Sequence, residues 1–168
     1  MGEARLDAAR RNKTKKSQCS CTELRKASRR LSQLYDAALA PCGLRTTQRA
    51  ILSQIRRAGI PSMGELAEAL VIDRGALAHN LKPLERDGLV KITIDSKDRR
   101  NHLVALTSAG RARLAESEVF WARAQRGFDA ALGSVPSASL REALRLIVSD
   151  GFASTFEHAA RIAGVPEG

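Results

Sequence analysis

Hydrogen-bonding side chains on one predicted helix have the spacing needed to touch the edges of DNA bases. In the segment 73–87, Leu77, Leu81 and Leu84 share one helical face, which predicts that this face is buried. On the opposite face lie short or hydrogen-bonding residues of the kind that fits a major groove: Arg74, Ala78, His79 and Lys82. Asp73 is placed to cap this helix and Gly88 to end it.

A second group of charged side chains lies between two segments that have the composition of β-strands. The strand-like segments are 89–95 and 102–107. The polar tip between them carries Lys97, Asp98, Arg99 and Arg100. Upstream, Ser62 and Glu65 have the spacing of a capping box, which satisfies backbone N–H groups at a helix start. Helix, turn, helix and hairpin in this order predict a winged helix-turn-helix, whose second helix enters a major groove and whose hairpin tip reaches an adjacent minor groove.

Further helices are expected around this unit, which makes the fold mainly α with a small β-hairpin wing. The first helix is predicted over 22–40 and the second over 47–58, with Thr46 as its cap. Thr107 is expected to cap a long helix that runs to residue 131. After a break at 133–136, Ser137 is expected to cap a last helix over 138–162.

The outer helices carry more apolar surface than a small winged lobe can cover. A two-fold dimer built from the N- and C-terminal helices accounts for this surface most simply, and a larger single core is the alternative. The expected organisation is a flexible basic tail over 1–18, an N-terminal dimerisation helix over 19–45, a DNA-binding winged helix-turn-helix over 46–107 and C-terminal dimerisation helices over 108–168.

The formal net charge of +10 is concentrated in residues 1–60, which hold 14 Lys/Arg and 4 Asp/Glu, whereas residues 61–168 are balanced. Such an excess favours polyanions through phosphate contacts and counterion release, so double-stranded DNA is the expected partner. Charge alone also fits a solubilising tail or a non-specific architectural DNA-binding protein. The sequence has no apolar run of the roughly 20 residues that a membrane span needs. With no secretory segment after the basic N-terminus, a cytoplasmic protein without a membrane partner is expected.

The wing string Asp98-Arg99-Arg100 followed by Leu106-Thr107, together with the segment 84–90, resembles the multiple-antibiotic-resistance regulator (MarR) family. The resemblance covers about residues 20–162 and the same order of elements. It implies a homodimer that binds a pseudo-palindrome in promoter DNA, usually represses, and lets go when a small organic ligand or an oxidant acts on it. Pro83 departs from the family pattern, because a proline inside the recognition helix is expected to bend it.

By position, the resemblance implies that Arg100 enters the minor groove and that Asp98 braces it. A narrow minor groove favours an inserted arginine electrostatically. The resemblance also places Ala76 on the recognition face. There Arg74 and Lys82 suit guanine or phosphate contacts, and Ala76 and Ala78 suit thymine methyl groups. His79 either contacts a base or lies on the surface without a base contact. The start of the second helix is expected to bind phosphate, because a helix N-terminus favours anions. The residues there are Thr46, Thr47 and Gln48.

Three clustered cysteines do not form a structural disulfide framework, which leaves ordinary thiols, a redox pair or a metal site. The organic-hydroperoxide branch of the family implies that Cys21 is the reactive thiol, with Tyr35 at one hydrogen-bonding tyrosine position and Arg25 at the other. A helix start and a nearby guanidinium both lower a thiol pKa. A sulfenic acid on Cys21 would be resolved by Cys19, by Cys42 or from the other subunit. Because C-x-C differs from the usual zinc knuckle, neither a metal nor another cofactor is expected.

The sequence contains no active-site motif of the serine-hydrolase, P-loop, dinucleotide-binding or zinc-protease type, so an enzyme is not expected. A thiol peroxidase would also use a reactive cysteine, but it would need no winged unit. A small organic ligand in the cleft between the dimerisation helices and the winged lobe is the alternative effector, and the sequence does not select its identity.

Overall fold

The structure, a computed structural model, describes residues 19–164, and the predicted basic tail over 1–18 lies outside the described residues. This part of the chain contains seven α-helices and one antiparallel hairpin, which confirms the mainly α fold with a small β wing. In chain order the elements are α1 Ser20–Leu39, α2 Thr46–Ala58, α3 Met63–Ala69, α4 Arg74–Arg86, β1 Val90–Ile94, β2 His102–Leu106, α5 Ser108–Leu132, α6 Ser134–Ile147 and α7 Asp150–Ala163. Among these helices, none is long and apolar enough to cross a membrane.

The hydrophobic core lies beneath the helix-turn-helix and the hairpin, and its buried apolar side chains all fall between residues 39 and 114. From α4 it takes Leu77, Leu81 and Leu84, which are fully buried as their spacing predicts. From α2 it takes Ile51, Leu52 and Ile55. Burial of each of these side chains contributes about 1.5–3 kcal/mol. The core therefore fixes which face of α4 points to solvent.

Short-range caps set where the helices of the winged lobe begin and end. The Glu65 N–H donates to Ser62 Oγ at 3.2 Å and the Ser62 N–H donates to the Glu65 carboxylate at 2.7 Å, so the predicted capping box is present. The Ser62 N–H binds the charged carboxylate and thereby lowers the pKa of Glu65. Asp73 caps α4 by accepting the Ala76 N–H at 2.8 Å. Gly88 follows α4 with a φ of 68°, as expected for a helix stop.

The wing is a two-stranded antiparallel hairpin whose base is held against the lobe. At its base Val90 pairs with Leu106. On the free edge of β2, the Val104 N–H donates to the Pro61 carbonyl at 2.9 Å, which ties the hairpin to the segment that precedes α3. The hairpin is therefore anchored along its base, while its tip projects into solvent.

Thr107 joins the base of the hairpin to α5. Its Oγ1 donates to the Gly88 carbonyl at 2.6 Å and accepts the Gly110 N–H at 3.0 Å, which makes it the predicted N-cap of α5. Here α5 passes so close to the hairpin that a β-carbon at Gly110 would overlap the Leu89 carbonyl. Only glycine permits this close approach without a shift of the backbone.

The start of α2 differs from the prediction. Its N-cap is Arg45 and not Thr46, which is the first residue of the helix. The reason is a contact with α1, because Asp36 accepts the Thr46 N–H at 2.6 Å. A carboxylate from the neighbouring helix therefore accepts the first N–H group of α2.

The prediction of a single last helix over 138–162 is wrong. The chain forms two helices there, α6 and α7, which separate at Val148 and Ser149. Ser137 caps neither of them, because α6 begins directly after Gly133 and Ser137 is fully buried inside it. Ser149 has the extended backbone conformation of an N-cap residue, so one helix ends before it and α7 begins after it. The apolar residues before and after Ser149 therefore belong to different helices.

Helices α1, α6 and α7 leave apolar side chains uncovered within one chain. Among described residues, α1 buries only Leu39 and α7 buries none. Leu34 of α1 is 57% exposed and Phe156 of α7 is 63% exposed. The Phe156 ring stacks on Phe152 with 6.4 Å between centroids, so the two rings form one exposed aromatic patch. The described chain therefore does not enclose these helices in one larger core.

Candidate nucleic-acid interface

Helix α4 presents the predicted recognition face to solvent. Arg74, His79 and Lys82 are exposed, and Ala76 and Ala78 lie half-buried between them. Because the opposite face is locked into the core, these side chains are held on a rigid helix and not on a loop.

Pro83 lies inside α4 and does not end it, since the helix continues to Arg86. Proline donates no N–H to the carbonyl four residues earlier, so one backbone hydrogen bond of the helix is absent there. The predicted reading residues all precede the proline and therefore share one continuous helical segment.

The tip of the wing is held in one shape by Asp98. Its carboxylate accepts the Arg100 N–H at 3.0 Å and the Asn101 side-chain amide at 3.3 Å. The side chains of Lys97, Arg99 and Arg100 are exposed. Asp98 therefore contacts the backbone of Arg100, whose side chain is exposed at a tip that these hydrogen bonds hold in place.

One groove joins the recognition helix to the wing. Its volume is about 410 Å³. The residues from α4 and from the hairpin that line it include Arg74, Ala78, Lys82, Arg100, Asn101 and His102. The Arg74 guanidinium lies 3.0 Å from the place that a β-carbon of Gly64 would take, so the glycine in α3 makes room for it. Gly64, Asn101 and His102 of this groove were not among the predicted site residues. The one signal for them in the sequence is their position beside the capping box or the wing tip.

A second groove runs from the start of α2 along α4 and has a volume of about 810 Å³. Its lining residues are Asp36, Arg45, Thr47, Gln48, His79, Asn80, Lys82, Pro83 and Arg86. Thr47 and Gln48, two predicted phosphate contacts, thus share a groove with His79 and Lys82 of the recognition face. Two cations of this groove, Arg45 and Arg86, were not predicted from the sequence, although Arg45 directly precedes a helix start, where anions are favoured.

Thr46 is turned away from this groove. Its N–H is taken by Asp36 at 2.6 Å. Its hydroxyl is buried without a hydrogen-bond partner among the described residues, and the side chain lines a different cleft. Neither polar group of Thr46 is therefore available to a phosphate, unlike those of its neighbour Thr47, which is exposed.

The three cysteines lie at two distant places. Cys19 and Cys21 are exposed at the start of α1, whereas Cys42 is buried in the core with its thiol donating to the Leu39 carbonyl at 3.0 Å. The 18 residues of α1 after Cys21 rise about 27 Å. The expectation that Cys42 resolves Cys21 within one chain is therefore wrong, and Cys19 is the near neighbour. Across residues 19–164, no group of three or more His, Cys, Asp or Glu could hold a metal ion.

Tyr35 is also remote from the exposed thiols of its own chain. It lies about 21 Å along α1 from Cys21, and its hydroxyl donates to Gln125 of α5 at 3.1 Å. Burial raises the pKa of Tyr35, and the Asp129 carboxylate adds to this effect. Within one chain Tyr35 therefore does not hydrogen-bond Cys21, while Arg25 lies one helical turn after that thiol and is exposed.

Cys19 is the N-cap residue of α1. Hydrogen bonds with the Thr22 side chain, and then with its backbone, lower the pKa of the Cys19 thiol because they stabilise the thiolate. The sequence predicts a lowered thiol pKa for Cys21, whereas the lowered pKa in the structure belongs to Cys19.

A further cleft of about 490 Å³ lies between α1, α5 and α6. It is mainly apolar, with Leu31 on one side and Phe128 and Leu144 on the other. Arg141 also lines it and pairs with Asp129 at 2.8 Å, which lowers the pKa of that carboxylate. Such a cleft suits either an apolar anion or the side chains of another helix.

Proteins of known structure share this architecture. Residues 44–102 match the model of the MarR family. The transcriptional regulator MOSR of M. tuberculosis, in complex with DNA, is 32% identical, with a TM-score of 0.71 over 88% of this chain and 100% of that one. The transcriptional repressor CouR, bound to a 23-mer DNA duplex, is 28% identical, with a TM-score of 0.71 over 79% of this chain and 94% of that one.

A curated relative covers a shorter region. The transcriptional activatory protein BadR of Rhodopseudomonas palustris is 39% identical over 72 residues, which is 41% of this chain and 41% of BadR. This chain is thus similar to one protein described as an activator and to another described as a repressor. All three relatives are transcription regulators and none is described as an enzyme.

Proposed function

The chain belongs to the MarR family of DNA-binding transcription regulators, and we propose that it binds a pseudo-palindromic promoter site as a homodimer. The observation that carries this proposal is the groove in which Arg74, Ala78 and Lys82 of α4 meet Arg100 of the wing tip. A rigid helix face beside an arginine-bearing hairpin suits simultaneous contact with a major groove and the adjoining minor groove.

Each half-site would be read by side chains that differ in chemistry. Arg74 and Lys82 suit guanine edges or phosphates, and Ala76 and Ala78 suit thymine methyl groups. Arg100 would enter the minor groove, where a narrow A·T-rich segment attracts a cation. Phosphate contacts would come from the second groove and from the wing flanks: Arg45, Thr47, Gln48, His79, Arg86, Lys97 and Arg99.

The homodimer would be built from α1, α6 and α7. Two observations support it: α7 buries no residue within its own chain, and side chains such as Leu34 and Phe156 are more than half exposed. Patches of this kind on a folded chain mark interaction surfaces. A two-fold axis through these helices would place one winged lobe at each half of the site.

We propose that the bound dimer represses, by covering a site that overlaps the promoter. The repressor CouR supports this direction. The activatory protein BadR shows that a relative is described with the opposite direction. Direction would then depend on where the site lies relative to the promoter.

Release by an oxidant would act on the pair Cys19 and Cys21. Both thiols are exposed, and the lowered pKa of Cys19 favours a reactive thiolate. An organic hydroperoxide would oxidise one thiolate to a sulfenic acid and leave as the alcohol. The other thiol, or one from the partner subunit, would then attack that sulfur and form a disulfide with loss of water. The change would strain the start of α1, a helix of the proposed dimer.

Release by a small organic ligand is the second route, and it would use the cleft between α1, α5 and α6. Its apolar walls and Arg141 suit an aromatic acid. A ligand there would contact α1 and α6 and would thereby change how the dimer holds its two lobes apart.

Footprinting on the DNA upstream of the gene tests the proposal. Reduced protein is expected to protect a pseudo-palindrome, and an organic hydroperoxide is expected to abolish protection until dithiothreitol restores it. A Cys19→Ser, Cys21→Ser variant should bind the site and ignore the oxidant. Protection that is unchanged by oxidant would refute the thiol route and leave the ligand route, which is tested by adding aromatic acids.

A non-specific architectural DNA-binding protein is the rival function. Competition with random-sequence DNA distinguishes the two, because a specific regulator keeps its preference for one site as salt is raised and non-specific binding weakens. Uniform coverage of all fragments would refute the regulator.

A further inference from the structure

One buried arginine that takes no part in the proposed DNA contacts joins the DNA-reading lobe to the dimerisation helices. Arg49 of α2 is only 8% exposed. Its Nη2 donates to Glu118 Oε2 at 2.7 Å and its Nε donates to Ser117 Oγ at 3.2 Å. Its guanidinium carbon lies 4.5 Å from the centre of the Trp121 ring. The three partners lie on neighbouring turns of α5. The exposed Arg56 of α2 also pairs with Glu118 at 3.0 Å, but Arg49 is the buried arginine that holds all three partners and so fixes α2 to one place on that helix.

This Arg49 cluster, made of Arg49, Ser117, Glu118 and Trp121, permits one arrangement. Ser117 is fully buried, and its hydroxyl donates to the Leu114 carbonyl at 2.6 Å while it accepts from Arg49. A planar guanidinium with one ion pair, one neutral hydrogen bond and one stacked ring is constrained in direction as well as in distance. Another orientation would separate the buried Arg49 guanidinium from its partners, which is costly.

The Arg49 cluster lies where α5 leaves the hydrophobic core. Leu114 is the last fully buried apolar residue of α5, and beyond Ser117 the helix buries no further residue. From there α5 continues for 15 residues, or about 22 Å, to Leu132 beside α1 and α6. A tilt of about 10° at the cluster would move the far end by about 4 Å, which is comparable to the roughly 3.4 Å rise of one base pair.

We propose that the Arg49 cluster sets the angle between the winged lobe and α5, and thereby the spacing between half-sites that the dimer accepts. Arg49 is a positioning residue, because it contacts α5 and not DNA. The residues just before it, Thr47 and Gln48, line the outer groove at the start of α2. One helical turn therefore carries the proposed phosphate contacts on its outside and the anchor to α5 on its inside. This inference rests on the proposed function, since spacing has meaning only for a dimer on a two-part site.

The test is a binding titration on duplexes whose two half-sites stand at the preferred spacing, one base pair closer, and one or two base pairs further apart. Wild-type protein is expected to favour one spacing by about tenfold or more. Arg49→Met keeps an unbranched side chain and loses the guanidinium. Its affinities for the duplexes of different spacing are therefore expected to lie within about threefold of one another. The matched control is Arg57→Met, which removes one charge from an exposed position of α2 whose side chain donates to Gln54 of the same helix at 3.0 Å. It is expected to keep the wild-type profile.

A duplex with a single half-site separates positioning from folding, because its affinity is expected to stay unchanged in Arg49→Met. An equal loss on every duplex, including the half-site, would overturn the inference, and so would an unchanged spacing profile. If Arg49→Met does not fold, Glu118→Gln weakens the same clamp from the α5 side and is judged by the same comparison. If wild-type protein does not recognise a two-part site, the proposed function itself is refuted. If wild-type protein prefers one spacing and Arg49→Met keeps that preference, only the role of the Arg49 cluster is refuted.

Discussion

Replacing Arg100 with alanine tests the proposed minor-groove contact. A dimer carries two wings, so the substitution removes two guanidinium groups from each complex. Asp98 orders the tip by accepting the backbone N–H of residue 100 at 3.0 Å, and alanine retains that N–H. The tip is also exposed and remote from the core. The shape and the stability of the lobe are therefore expected to persist, and the loss is that of the side-chain contact alone.

The magnitude follows from two contacts per complex. A specific arginine contact in a groove contributes about 1–2 kcal/mol at an exposed tip, which gives about 2–4 kcal/mol for the dimer. This corresponds to a loss of roughly 30- to 1,000-fold in affinity. The slope of log K against log salt should also fall by about 2, because two fewer cations displace counterions from the DNA. Fluorescence anisotropy at several salt concentrations measures both quantities.

Arg99→Ala is the matched control, since Arg99 is the neighbouring residue with the same charge and is also exposed. It is expected to lower the salt slope while keeping any preference for A·T-rich sequence beneath the wing. Arg100→Ala is expected to lose that preference. The reasoning would be refuted if both variants bound equally well, or if Arg100→Ala lost the same affinity on A·T-rich and G·C-rich flanks.

Three further substitutions test other parts of the structure. Gly110→Ala would place a β-carbon against the backbone that precedes β1 and is expected to destabilise the fold by about 1–3 kcal/mol, seen as a lower Tm. The control Gly127→Ala, in open space on the same helix, should be neutral or stabilising. Equal changes in Tm for the two variants would contradict the reasoning. Phe156→Asp places a charge in the exposed aromatic patch and is expected to weaken dimerisation by about 100-fold or more in sedimentation experiments, because two buried phenyl rings are lost; an unchanged dimer would remove α7 from the interface. Thr22→Val removes the hydroxyl that most lowers the pKa of Cys19, so the pH profile of Cys19 alkylation, followed by mass spectrometry, should move to higher pH, and a profile that stays in place would show that the hydroxyl does not stabilise the thiolate.

The parts of the fold that depend on local spacing could be predicted from the sequence. Ser62 with Glu65, Asp73 before α4 and Thr107 before α5 each satisfy backbone groups within three residues, so the sequence shows both donor and acceptor. Gly88 is similar, because the left-handed conformation it adopts is costly for other residues. The recognition face follows from the same local periodicity, since it is the face opposite the buried leucines.

The parts that were missed depend on contacts between distant segments. Arg45 occupies the N-cap position of α2 in place of Thr46, whose N–H is the first of the helix and donates to a carboxylate from α1. Arg49 reads in the sequence as one more cation of a basic segment, yet its partner Glu118 lies 69 residues away. The break at Ser149 does have a local signal, because a serine followed by an acidic residue is a pattern of helix starts. The apolar periodicity continues across this pattern and therefore favoured a single helix.

The burial of Cys42 gives this chain an internal reporter of its own opening. Its thiol is 3% exposed and donates to a main-chain carbonyl, so a labelling reagent can reach it only when the core of the winged lobe comes apart. In a Cys19→Ser, Cys21→Ser background, the labelling rate divided by that of an unfolded peptide would equal the fraction of time the core is open. The labelling rate of Cys42 therefore measures the free energy of opening of this core at any temperature below melting, with DNA or without it.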